Sequence, residues 1–470
     1  MKNYQKSFDI ALNEHEKLNL KINGHLPDWL RGQYVIIGPA RPMKFPRIFN
    51  HWFDKFGVLC KFSFGDNGVS FSNKYIRSQQ YIHAMEHKKL YFSEFATSSS
   101  RNLWQRLLAL TRGEMDISDN VNVNTIKIDH ILVAISDIEK MIKFDLSSLD
   151  TLDEFLFEDK LLGWITSAHP HIDAHNGTII DVLINSYPKI IYTICAIKPG
   201  SKIRSVIATY EPQQLFYMHS FSITEHYVIL LETPLKLKTK NYFLSQYLLN
   251  KPPIELLKEQ SSDQAFLVVI EKSTGKIKRI PTAGFYFSHT VNAYEKQDKI
   301  ILDVITYNKA LYYQDLLYKN LLSDDYIASS SQLSRFIINI NKYSVNVESF
   351  DLPNPEFPRI NYAKNNSNYY RYMYSLSREQ TKNIKLSLVK YDVEKLSANK
   401  WYQNKCYPGE PLFVASSKED DDDGVVLSVV FNAEINKSFL LVLDAKSFQE
   451  QARIDLPFGL PALLHSNFYN

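Results

Sequence analysis

One unit recurs along this chain and limits its fold more than any other feature: an apolar strand, an acid or Asn, a short polar connection, and a second strand. It appears at residues 133–155 (VAISDIEKMIKFDLSSLDTLDEF), 266–281 (FLVVIEKSTGKIKRIP) and 334–353 (SRFIININKYSVNVESFDLP). It returns from Leu386 (LSLVKYDVEKLSANKWY) and from Phe439 (FLLVLDAKSFQEQARIDLP), with weaker copies at 58–76 and 183–211. Alternating apolar residues with abundant Tyr and Phe are what strands require, and helical periodicity is rare. A hairpin cannot bury its face alone, so radial stacking of about seven such units, roughly 50 to 70 residues apart, predicts a seven-bladed β-propeller. A pair of β-sandwiches is the competing architecture. At 470 residues the chain exceeds one ordinary core, but repeats that pack only on neighbours escape that limit, so residues 1–470 are expected to form one propeller domain.

Charge excludes some partners. With 54 Lys and Arg against 51 Asp and Glu, the formal charge is +3, and no basic block suggests nucleic acid. The run Glu419-Asp420-Asp421-Asp422-Asp423-Gly424 reads as a solvated turn rather than a calcium loop, which needs spaced oxygen ligands. Three scattered cysteines without a CxxC argue against a disulfide framework, and the polar start (MKNYQK) has no secretory region, so a cytoplasmic location is expected. No run approaches the ~20 apolar residues that span a bilayer. No obligate protein partner is implied.

Two stretches interrupt the strands, and with loops they are expected to form a small helical cap over the functional face. Residues 98–115 carry Leu103, Trp104, Leu107, Leu108 and Leu110 among Arg101, Arg106 and Arg112. Residues 235–257 mix Lys236, Lys238 and Lys240 with Tyr242, Phe243, Leu244, Tyr247, Leu248 and Leu249. Each is either an ordinary capping helix or a segment resting peripherally on a membrane, basic on one side and apolar-aromatic on the other.

Of 13 histidines, four occupy comparable places at or just before an apolar strand, each in a different unit: His169, His219, His289 and His465. In a propeller the innermost strand of each blade starts near the axis, so one histidine per blade at that point converges on a single spot. Imidazole suits iron, zinc, copper or nickel, and carboxylates are then wanted behind the rings. A buried histidine is more often a core residue, and His171, His175 and His226 lie close enough to be mistaken for ligands. The residues alone stop there.

Several segments, in order, resemble the carotenoid cleavage oxygenases. They are LPDWLRGQYVIIGPA (26–40), HWFDKFGVLCKF (51–62), AHPHID, MHSFSIT, HTVNAYE, EFPRINY (356–362), YPGEPLFVASSKEDDDDGVVLSVVF (407–431) and LLHSNF. The stretch 407–431 is similar to the animal-type branch. The resemblance implies a seven-bladed propeller holding one iron(II), Fe(2+), on its axis through His169, His219, His289 and His465. It places three supporting acids on Asp137, Glu356 and Glu410, with Asp137 one methylene short of the usual Glu, a gap met either by a bridging water or by a different placement of the supported histidine. It implies a dioxygenase that uses O2 to cleave a C=C bond of a lipophilic carotenoid or apocarotenoid into aldehydes, including central 15,15' cleavage to retinal. A retinoid isomerohydrolase and a stilbene-cleaving dioxygenase share the scaffold. Stilbene cleavers carry a Lys before the first supporting acid, where this chain has Ser136. A metal-free interaction platform would be expected to lose some of the four histidines. Chain departures include Lys55-Phe56 in place of Gly-Asp, and no Pro-Asp-Pro-Cys-Lys segment. No catalytic side chain beyond the metal centre is expected. A membrane-borne substrate would bring Leu103, Trp104, Leu107, Tyr242, Phe243 and Leu248 to the tunnel mouth.

Overall fold

Alternation of apolar and polar residues carries the chain into antiparallel sheets. The computed structural model describes residues 3–111, 118–186, 189–237, 248–260, 264–323, 326–352, 354–379, 384–416 and 421–470. Five four-stranded sheets follow one another along the chain, spanning 124–154, 171–210, 222–283, 286–350 and 355–401. The molecule is an all-β propeller.

Inner strands such as Ile179–Asn185 and Lys299–Tyr307 are apolar and buried almost throughout, because each sheet packs against neighbours on both faces. Val182, Leu230 and Leu302, from three successive sheets, share one buried cluster. An outer strand such as Ser344–Phe350 is largely exposed.

Strand pairing corrects the expected count: five separate blades form, not seven. The remaining strands of the ring join in one 11-stranded sheet built from both ends of the chain. The cause is the strand His15–Gly24, which bonds to Gly68–Tyr75 along one edge and to Glu450–Asp455 along the other. Two units that would stand apart are thereby fused. The last strand, Ser466–Tyr469, lies along Gly32–Pro42 in the same sheet.

The expected cap is minor. Its longest described helices are Gln79–His87 and Leu103–Thr111. Ser78 opens the first, its side chain accepting from Tyr81 N at 3.1 Å, and Lys88 in a left-handed conformation closes it. Cys60, Cys195 and Cys406 are buried free thiols. Among the described residues no helix is long and apolar enough to cross a membrane.

Candidate metal centre

Each of the four expected histidines enters the axis where a blade begins. His169 precedes the strand His171–Ile172, His219 precedes Ser222–Ile223, and His465 precedes Ser466–Tyr469. His289 lies within Tyr286–Lys296, at a register shift against Lys299–Tyr307 that turns its side chain out of the pleat. The structure brings all four together. Ring centroids stand 4.6 Å (His169–His465), 4.7 Å (His169–His219) and 5.2 Å (His289 to both His219 and His465) apart. One nitrogen from each lies within 4.8 Å of the others.

Three carboxylates fix which nitrogen faces inward. Glu356 Oε2 is 2.7 Å from His289 Nδ1, and Glu410 Oε1 is 2.8 Å from His465 Nδ1. Asp137 Oδ2 is 2.8 Å from His219 Nδ1, so the shorter side chain reaches its imidazole directly and needs no bridging water. A carboxylate accepting Nδ1–H leaves Nε2 as an unprotonated lone pair. Those nitrogens find little else: His289 Nε2 is buried without a partner, and His169 Nε2 faces His219 Nε2 at 3.1 Å. Four imidazoles aimed at one point are a donor set that fits a transition-metal ion. Burial, reinforced by the neighbouring imidazoles, drives the pKa of His169 well below the ordinary value, and burial also lowers that of His465. Burial raises the Glu356 carboxyl, but His289 and the surrounding donors outweigh it and hold the pKa near about 2.

Several supporting groups were not evident from sequence. Ser288 Oγ and Tyr307 OH donate to Glu356, and Ser466 donates to Glu410 through both N and Oγ at 2.7 Å. The serines flank two of the converging histidines and were findable from that adjacency; Tyr307 reaches Glu356 from another sheet and was not. His171 is half-buried and bonded to Phe221 O at 2.8 Å and Tyr362 OH at 3.1 Å, and His226 pairs with Glu295 at the surface. In the acidic run, Asp421 pairs with Lys364 and Asp422 with Lys390, while Glu419 and Asp420 lie outside the described residues.

The site opens into a cavity of about 1070 Å³ walled by residues such as Trp52, Phe53, Phe95, Trp164, Ile165 and Phe216. The two interrupting stretches meet near it: Asn250 and Ser99 exchange hydrogen bonds, and Arg106 donates to Leu248 O. Leu103, Trp104, Leu108, Leu248 and Leu249 are exposed, Trp104 at 79%, and Leu107 is half-buried. Arg101 and Arg106, expected on a basic outer side, are buried beneath them. Tyr242 and Phe243 lie outside the described residues.

Four carboxylate-braced or mutually facing imidazoles at the head of an apolar cavity define a class, a propeller built around a candidate metal site. The chain belongs to the retinal pigment epithelial membrane protein family, whose model matches residues 8–470. It is 29% identical to the β,β-carotene 15,15'-dioxygenase of Mus musculus over 96% of this chain and 89% of that one. It is 30% identical to carotenoid cleavage dioxygenase 8 homolog B of Oryza sativa subsp. japonica, over 95% and 81%. The fold matches that of cobalt-substituted Synechocystis apocarotenoid oxygenase with a TM-score of 0.86 and 24% identity, covering 100% of this chain and 98% of that one.

Proposed function

We propose that the chain, as one domain, is a non-haem iron(II) dioxygenase that cleaves a C=C bond of a carotenoid or apocarotenoid to aldehydes. In this reading His169, His219, His289 and His465 hold the iron, and Asp137, Glu356 and Glu410 orient three of the rings. The observation that carries it is the convergence of four imidazole nitrogens within 4.8 Å beside a cavity of about 1070 Å³ with many apolar and aromatic walls. Iron, when bound, supplies the redox chemistry that couples dioxygen to the double bond. The chain's own residues do the rest: the aromatic walls hold an extended polyene in one register and keep water away. Asp137, Glu356 and Glu410 keep Nδ1 protonated so that Nε2 remains a donor. Similarity to the 15,15'-dioxygenases favours central cleavage to retinal. Ser136, in the cavity wall where stilbene cleavers carry Lys, offers no cation to a phenolate.

The test is to load the protein with iron(II) and incubate it with carotenoids, apocarotenals, retinyl esters and stilbenes under labelled dioxygen. Labelled aldehydes are expected. A retinol of altered geometry, without label, would instead identify an isomerohydrolase, and no stoichiometric iron would leave a bare scaffold.

A lipid-soluble substrate also gives the exposed patch a role. We propose that Leu103, Trp104, Leu107 and Leu248, with Tyr242 and Phe243 nearby in sequence, rest on a membrane surface beside the tunnel mouth. Flotation with phosphatidylcholine liposomes that Trp104→Glu abolishes is the expected result; wild-type protein staying at the bottom of the gradient removes the idea.

A further inference from the structure

Much of the cavity wall is apolar, and one cation stands in it. Among the described residues lining it, Arg378 is the single lysine or arginine. Among the described residues its guanidinium makes one hydrogen bond, to the Ser329 carbonyl. A guanidinium carries five N–H donors and stays charged, so most of its donor capacity is left for a ligand or water. The acids that could answer it are engaged elsewhere. Glu356, Glu410 and Asp137 hold histidines. Glu94 accepts from Gln80 and Ser118. Asp315, the nearest in the wall, accepts from Tyr326 OH at 2.8 Å and Ser329 N at 2.7 Å.

Position gives this cation a use. On the strand Tyr372–Glu379, Leu376 pairs with Glu356, the acid behind His289. Arg378 is two residues further on the same face, about 7 Å along the strand. Ile327, also in the wall, is 69% exposed, so the cavity has a mouth at this end. A donor therefore stands at the mouth, set back from the histidines, with a neutralising carboxylate close by in Asp315. That arrangement suits a neutral oxygen acceptor at the end of a polyene and gives nothing to a hydrocarbon ring.

We infer that Arg378 is a specificity-determining residue that hydrogen-bonds the aldehyde oxygen of an apocarotenal, holding that terminus at the mouth while the apolar ring enters first. The inference rests on the carotenoid reading above and narrows it to substrates with one oxygenated end.

Binding to metal-free protein tests it, because Trp52 and Trp164 line the cavity and their fluorescence is quenched by an absorbing polyene. A long-chain β-apocarotenal and β-carotene, both in detergent micelles, are titrated into wild type, Arg378→Met and Arg378→Lys. Losing a hydrogen bond to a charged donor should weaken the apocarotenal about tenfold in Arg378→Met, leave β-carotene within about twofold, and be largely restored in Arg378→Lys. Equal weakening of both polyenes, or no change in either, overturns the assignment. If wild type binds β-carotene but not the apocarotenal, only the role of Arg378 falls. If it binds neither, the carotenoid reading falls and takes this with it.

Discussion

Three acids brace three imidazoles, but not equivalently. Glu356 gathers His289, Ser288 and Tyr307, whereas Asp137 meets only His219 and the Ala168 N–H at 3.2 Å. Removing the charge at Glu356 by Glu356→Gln leaves its donors in place and should weaken metal retention about 10–100-fold. Isothermal titration with iron(II) or cobalt(II) checks this, and unchanged affinity would mean the carboxylate does not set the ring. Elsewhere, Asp54 is wholly buried under His51 N (3.1 Å), Ala96 N (3.0 Å) and Thr97 Oγ1 (2.6 Å). Burial outweighs these donors and raises its pKa to about 7. A raised acid stabilises the fold while protonated, so its contribution is complete below the unfolded value near pH 4. It is lost progressively as pH climbs to about 7, on the order of 4 kcal/mol in all. Thermal unfolding followed across that window should fall with pH in wild type and flatten in Asp54→Asn; parallel curves would refute it. The convergence of the four histidines was legible because each lies at or near the start of an apolar strand. Tyr307 was not, because its partner Glu356 lies on Pro355–Arg359 in the next sheet, a contact between blades that no local pattern encodes.

At the scale of elements, the C-terminal segment delivers His465 by docking on the strand Gly32–Pro42. Leu464 N bonds to Ile37 O at 3.0 Å, and Ile37 N to His465 O at 2.9 Å. The approach is close enough that a Cβ on Gly38 would lie 2.7 Å from Leu463 Cα and Leu464 N, both backbone atoms that cannot swing aside. Gly38→Ala should therefore displace the segment, lower the unfolding temperature and loosen metal retention together. Gly65→Ala, where an added Cβ meets nothing within 4 Å, should change stability by less than about 0.5 kcal/mol. Differential scanning calorimetry and metal titration on both variants decide it; full metal retention in Gly38→Ala would show that His465 is placed by its own strand instead.

For the whole molecule, the repeating hairpins could be read from sequence because their two-residue period is local. The blade count could not, because it turns on His15–Gly24 pairing with Glu450–Asp455, at the far end of the chain, as well as with Gly68–Tyr75. The same long-range closure ties the metal site together. Asn467 Nδ2 donates to Asn124 Oδ1 at 3.1 Å and to Thr125 O at 2.9 Å, and Tyr469 OH meets Thr125 Oγ1 at 2.8 Å. Asn124 in turn donates to Ala168 O at 3.0 Å, next to His169. The last four residues thus link the segment holding His465 to the one holding His169. Deleting 467–470 leaves all four histidines and Ser466 in the chain but removes that link. The expected outcome is an unfolding temperature lower by several degrees and weaker iron retention, read by calorimetry and metal analysis after gel filtration. Closure spread over many strands would instead leave both unchanged, and the site would then owe its geometry to the separate blades rather than to the joined ends.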